Sequence, residues 1–228
     1  MQRLGIITGL AQESACLDVF SVDKRPVVRC AGARSERAGN LARKLVNDGC
    51  QGLLSYGMAG GLRENLPPGS IIIAPLVIGP SGSVFETSKV WLDRICLKTG
   101  SDDTVIIAPI AGTENVINSI EEKKKLGQST NAAAVDMESY NVGAVAKEAG
   151  VPFMIIRAIA DPLGRTVPDW VLGNISTHGN TRYWAMLAGL AAHPLDLCRL
   201  VRLNSDSRMA LSSLRSIANR LGPLFALE

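Results

Sequence analysis

Aromatic residues make up only 4% of this 228-residue sequence, and histidine occurs just twice, at His178 and His193. Without stacking side chains interleaved among basic ones, the chain lacks the platforms on which single-stranded nucleic acid is read. A formal charge of +3 supports only weak attraction to anions, so nucleic acid is not an expected partner. The five cysteines, Cys16, Cys30, Cys50, Cys96 and Cys198, lie far apart and form no CxxC pair. That spacing predicts reduced thiols and no zinc centre. The opening MQRLGIITGL reaches the polar Gln12 and Glu13 too soon for a signal h-region or a membrane-spanning helix, so a cytoplasmic location is expected.

What the chain does have is apolar substance, 46% of its residues, enough to bury one substantial core. Short β-rich runs recur at 4–8, 26–32, 52–57, 70–75, 104–109, 132–137 and 152–160. They are continuous rather than alternating, which marks strands buried on both faces. Helical stretches fit between them at about 34–48, 113–126 and 138–149. This order predicts an α/β three-layer sandwich, a mixed central β-sheet flanked by helices, as a single domain over 1–228. An extended helical C-terminal segment, about 168–228, includes an apolar helix near 181–192 and a basic amphipathic stretch from about 194 to 221.

Several strand ends run into glycine: Thr8-Gly9, Tyr56-Gly57 followed by Gly60-Gly61, and Ala111-Gly112. In open α/β sheets ligands bind beyond the carboxyl ends of strands, where glycine admits close approach. Two acids stand at such ends. Glu138, in NAAAVDMESYNVGAVAKEAG, falls at a strand-to-helix junction, where a carboxylate can accept both hydrogen bonds of a vicinal diol. Taken alone it reads better as a helix-start Glu favoured by the macrodipole. Asp161 ends the run VPFMIIRAIADP and is followed by Pro162, which cannot continue a ladder. It must cap, turn or act, and alone it reads as a turn residue.

Taken together, YGMAGGL, VDMES and RAIAD, in that order, resemble the family-1 purine and uridine phosphorylases, which include the methylthioadenosine and S-adenosylhomocysteine nucleosidases. The resemblance runs from about Leu4 to Asp161. It implies cleavage of the bond between a purine and ribose C1′ in an adenosine-type nucleoside. By position, Glu138 and Met137 would hold the ribose, and Asp161 would hydrogen-bond or protonate purine N7. The backbone of Gly57, Met58, Ala59 and Gly60 would line the ribose and nucleophile side, and the backbone near Val116 would meet the adenine in place of an aromatic near Asn115. Glu13, in TGLAQES, stands where the nucleosidase branch orients its attacking water. The phosphorylase branch instead binds phosphate through arginines, and the matching positions here are Gln12 or Glu13 and Ser55. Arg34 could supply that charge for phosphate as co-substrate, or could be a solvated helix-start residue. No metal and no cofactor is implied.

Asp161-Pro162, Arg165, Pro168 and the long LAAHPLDLCRLVR segment resemble a narrower branch, the hopanoid-biosynthesis-associated phosphorylases. That resemblance implies adenosylhopane as the substrate, giving adenine and ribosyl- or phosphoribosylhopane. Trp170 and Trp184 could line an apolar exit for such a lipid. Leu197, Leu200, Val201, Leu211, Leu214, Ala218 and Leu221 recur at helical spacing among arginines, a pattern that could rest peripherally on anionic headgroups of the inner membrane. The same pattern also suits a helix packed on the domain or on a partner, with a kink expected near Asn204. A homodimer or larger homo-oligomer is the family expectation, and a non-catalytic nucleoside-binding protein is the reading from another class.

Overall fold

A computed structural model of the protein describes residues 3–166 and 197–227. Its centre is a mixed ten-stranded sheet. Two long strands form the spine: β3, Gly52–Gly61, and β10, Phe153–Asp161, run parallel along most of their length. Strand β1, Leu4–Thr8, pairs parallel with the first half of β3 and carries β2, Val27–Cys30, on its other side. Strand β9, Ala134–Asp136, pairs antiparallel with the last residues of β3. The expected mixed sheet between helical layers is therefore present.

Side chains alternate across the sheet and both sides are apolar. Ile6, Leu54, Met154 and Ile156 face one layer, whereas Ile7, Leu53 and Ile155 face the other. This is why the runs read as continuous hydrophobic stretches rather than as period-two patterns. Helices α2, Ser35–Asn47, and α5, Ser139–Ala149, cover one side through Ala38, Ala42, Val142 and Ala146. Helices α3, Lys89–Thr99, and α6, Leu197–Leu221, cover the other through Trp91, Ile95, Leu214 and Ala218.

Two of the expected runs meet a proline at which the chain leaves one strand and enters another. The run at 70–75 supplies β4, Ile71–Ile73, and ends at Ala74-Pro75, after which β5, Leu76–Ile78, pairs with different neighbours. The run at 104–109 likewise gives β7, Val105–Ile107, then Ala108-Pro109, then β8, Ile110–Gly112. Strands β4 and β7 pair with each other, and so do β5 and β8. Proline has no N–H to donate, so each Ala-Pro step breaks the ladder and lets the chain change partners.

The helix expected at about 113–126 starts later. Helix α4 spans Ile120–Thr130, because Ser119 and Glu122 form a capping box: Glu122 N donates to Ser119 Oγ at 3.1 Å, and Ser119 N to Glu122 Oε2 at 3.3 Å. Residues 113–119 are thereby left as a loop. Helix α3 and strand β6, Val84–Glu86, occupy a stretch for which the sequence reading assigned no element.

Helix α6 runs unbroken through Asn204. Its inner face is buried at Ala210, Leu214, Ile217, Ala218 and Leu221, while Val201 is 61% exposed and the arginines face outward. The chain after it closes the layer: Tyr56 Oη donates to Leu214 O and Trp91 Nε1 to Phe225 O, both at 2.6 Å. Burial of these aromatic rings carries a large apolar contribution, and their polar ends are satisfied. Trp170 and Trp184 lie outside the described residues. Truncation of the fully buried Leu214 of α6 to Ala should cost about 2–5 kcal/mol of unfolding free energy. Val201→Ala, on the exposed side of the same helix, should stay within about 0.5 kcal/mol. Urea denaturation of the two variants measures both, and equal costs would contradict this orientation of α6.

Candidate active site

The carboxyl ends of β1, β3, β9 and β10 converge on one cavity of about 210 Å³. Its walls include Gly9, Glu13, Met58, Ala59, Gly60, Val116, Met137, Glu138 and Asp161. A short helix after β1, α1 at Ala11–Ala15, carries Glu13. The loop after β9 carries Met137 and Glu138, and the last residue of β10 is Asp161. Residues far apart in the chain meet because the strands that carry them are adjacent in the sheet.

Glu13 is 2% exposed and is held entirely by main chain. Its Oε2 accepts from Gly9 N at 2.7 Å and Leu10 N at 2.8 Å, and its Oε1 accepts from Met58 N at 2.8 Å. Gly57 makes this possible, since a Cβ there would stand 2.5 Å from Glu13 Oε2 and 2.8 Å from Arg157 Nη1. Burial raises the proton affinity of Glu13, opposed by the Arg157 charge and the three N–H donors.

Arg157 is the organising cation. It sits in the middle of β10, fully buried, with Nη2 2.6 Å from Asp136 Oδ2, 3.2 Å from Glu138 Oε2 and 2.6 Å from Ser55 Oγ. Burial disfavours its charge, but the carboxylates of Asp136, Glu138 and Glu13 more than offset this and keep it protonated. Asp136 is further tied by a short hydrogen bond from Ser139 Oγ. Glu138, buried and beside Asp136, has its proton affinity pushed up by desolvation first, with Arg157 opposing and Asp136 adding to the rise. The Glu138 carboxylate also lies against Gly9, where a Cβ would stand 2.7 Å from Oε1.

Asp161 is placed by a bulge. Ile159 pairs with Ala59 but Asp161 with Gly60, so Ala160 is an extra residue in β10. A bulge bends the strand and re-aims the side chain that follows it. Here the carboxylate is brought to the pocket wall, with its Oδ2 2.5 Å from the Nζ of Lys123 on α4. Burial raises its proton affinity and Lys123 opposes the rise.

Of the residues expected from sequence, Glu13, Glu138, Met137, Met58, Ala59, Gly60, Val116 and Asp161 all border this cavity. Gly57 does not: it lies beneath Glu13, where it provides room rather than a wall. Arg34, the N-terminal flanking residue of α2, borders a neighbouring groove with Asn115 and Arg37, which meets the cavity only along Ala33 and Met137. Two cations went unnamed in the sequence reading. Arg157 had a signal, a charge inside the otherwise apolar run FMIIRAIA, which a buried strand tolerates only if the charge is paired. Lys123 had none, because EEKKK reads as a solvated helix face. Among the described residues no group of three or more His, Cys, Asp or Glu could hold a metal ion.

A sequence model of the phosphorylase superfamily matches residues 24–177. The chain belongs to the phosphorylase superfamily. The match includes Glu138, Arg157 and Asp161 and starts after Glu13. An aminodeoxyfutalosine nucleosidase of Helicobacter pylori is 25% identical over 130 residues, 50% of this chain and 56% of that protein. A 5′-methylthioadenosine/S-adenosylhomocysteine nucleosidase of Staphylococcus aureus is 24% identical over 127 residues, 48% of this chain and 56% of that protein. The chain thus spans a little over half the length of the curated relatives it matches. The fold is shared with a futalosine hydrolase mutant of Helicobacter pylori, at a TM-score of 0.69 and 17% identity over 97% of this chain and 100% of that one. It is also shared with the methylthioadenosine/S-adenosylhomocysteine nucleosidase of Neisseria meningitidis in complex with methylthio-immucillin-A, at a TM-score of 0.71 and 15% identity over 97% and 99%.

Replacing Arg157 by Met should leave its carboxylates buried and uncompensated, at about 3–5 kcal/mol of stability near neutral pH. The deficit should depend on pH in a definite sense. Glu13 and Glu138 have raised proton affinities in the fold, so the stability they allow is complete below the ordinary carboxylate range and is lost as pH rises through their folded values. Removing the cation that opposes that rise should enlarge the loss. Denaturation at pH 5 and pH 8 should therefore show the larger deficit at pH 8, and equal deficits would refute the role of Arg157 as their counter-charge.

Proposed function

We propose that the protein hydrolyses the N-glycosidic bond of an adenosine-type nucleoside. The observation that carries this reading is the convergence of Glu13, Glu138 and Asp161 on one cavity, and the resemblance to the nucleosidases gives Glu13, rather than an arginine, the nucleophile side. Ribose hydroxyls would donate to Glu138, with Met137 beside the sugar. Asp161 would give its proton to purine N7 as the bond from C1′ to N9 breaks, so that the base leaves neutral and C1′ takes on oxocarbenium character. Glu13 would orient a water against C1′ and receive its proton. No cofactor enters these steps.

Charge favours water over phosphate as the acceptor. Arg157 is already matched to Asp136, Glu138 and Glu13, so its charge is not left over to balance a phosphate dianion. Arg34 could serve phosphate only from the adjoining groove.

For the 5′ substituent, the resemblance of the tail favours adenosylhopane, with ribosylhopane and adenine as products. Of the residues that carry it, Pro168 and 190–196 lie outside the described residues. Methylthioadenosine or S-adenosylhomocysteine is the second reading, favoured by the similarity to a methylthioadenosine/S-adenosylhomocysteine nucleosidase and by Glu13. Contact of the outward arginines of α6 with a membrane belongs to the lipid reading. No helix among the described residues is long and apolar enough to cross a membrane.

Adenine release from detergent-dispersed adenosylhopane and from methylthioadenosine, each with and without phosphate, separates these possibilities. Release independent of phosphate is expected. Strict dependence on phosphate would transfer the acceptor role to that ion and point to Arg34, and activity on methylthioadenosine alone would discard the lipid substrate. Asp161→Asn and Glu13→Gln should each lower kcat by about 10²- to 10⁴-fold, the range for a positioned proton donor or acceptor. Unchanged turnover in Asp161→Asn would sink the acid assignment.

A further inference from the structure

Lys123 is fully buried, and its surroundings are all acceptors. Its Nζ lies 2.5 Å from Asp161 Oδ2, 2.9 Å from Arg165 O, 3.3 Å from Pro162 O and 3.4 Å from Asp161 O. An ammonium offers three protons and no lone pair, so this cage fits the charged form and would set the lone pair of a neutral amine against carbonyl oxygens. The stretch 161–165 is folded around the lysine and ties the exit of β10 to α4.

The other charged groups around Asp161 are few. Arg165, on the same loop, is paired with Asp206 of α6 at 2.6 Å. Arg199 and Arg202 of α6 border the recess behind Asp161 together with that pair. Lys123 alone holds a carboxyl oxygen of Asp161 at ion-pair distance among the described residues.

We propose that Lys123 is a positioning residue for glycosidic cleavage: its ammonium pins Asp161 Oδ2, leaves Oδ1 to carry and deliver the proton, and neutralises the carboxylate that forms on delivery. This rests on the function proposed above. In the step concerned, the proton on Asp161 Oδ1 moves to N7, the electron pair of the breaking bond moves to the base, and Asp161 is left as a carboxylate. That negative charge develops against a fixed ammonium already in place, which lowers the barrier without reorganisation at the moment of transfer. In the absence of the lysine, burial would be opposed only by the more distant charge of Arg165, and the carboxyl would hold its proton more tightly.

The test is the pH profile of Lys123→Met beside the wild type, with adenine release as the readout. An essential acid gives an alkaline limb, where activity falls as the acid ionises. Loss of the cation should lower kcat by about 10²-fold, as for loss of one preorganised donor to a developing charge. It should also move the limb toward higher pH by about one unit or more. Lys123→Arg, if charge is what matters, should bring the limb back toward the wild-type position. A uniform loss of activity with the limb unmoved would show a merely structural lysine and overturn the proposal. Should Lys123→Met fail to fold, ¹⁵N-lysine NMR of the wild-type chain decides: a slowly exchanging ammonium resonance that shifts in Asp161→Asn is expected. A chain with no protected ammonium, or one insensitive to Asp161, would refute it. A wild type that cleaves no nucleoside would fail the proposed function itself, whereas an active wild type with an unmoved limb would fail Lys123 alone.

Discussion

A single buried guanidinium lets this fold carry acids in its interior. Arg157 occupies the centre of β10, surrounded by β3 and the loop after β9, where an unpaired charge would be prohibitive. Asp136 and Glu138 lie within hydrogen-bonding reach of it, and Glu13 feels its charge. The spine strands, the small residues that surround the cluster and the seating of α1 against β3 all serve to hold these groups within reach of one another. Gly57 is the clearest sign of this crowding, since even a methyl group there would collide with both Glu13 and Arg157.

The carboxylates are divided between two cations with different geometries. Arg157 spreads its charge across a planar fork and serves the group of acids around Glu138. Lys123 is a compact charge in a carbonyl cage and serves Asp161 alone among them, at the exit of β10. Separate counter-charges allow acids in one small cavity to differ in proton affinity, the arrangement that chemistry with both an acid and a base requires. Backbone N–H groups do the remaining work at Glu13, where three fixed donors orient the carboxylate without adding a mobile cation.

Local sequence carried the fold well where strands were long or strongly apolar. Strands β1, β3 and β10 and helices α2 and α5 stand within a few residues of their expected places, apart from the extension of β3 through Gly61. Strands β4 and β7 end just before Pro75 and Pro109, and the chain re-enters the sheet beside new neighbours as β5 and β8. Errors arose where short-range signals compete. The Ser119 to Glu122 capping box was present in the sequence and delayed α4, but the apolar and charged content before it masked the boundary. Val201 kept the helical spacing of a core position yet faces outward, because periodicity identifies a stripe and not how far along a helix that stripe is covered.

The sequence by itself determined the fold class, because buried strands need continuous apolar runs; it marked Glu138 and Asp161 as polar strand exits, and Glu13 stood out only through the resemblance to the family. Only the tertiary structure decided which charges neutralise one another. Arg157 lies 21 positions after Asp136 and Lys123 lies 38 before Asp161, and sheet order and the Ala160 bulge bring each pair together. Spacing along a chain reports periodicity within one element. Pairing across elements depends on packing, and in a low-dielectric interior packing sets which carboxylate is matched to which cation.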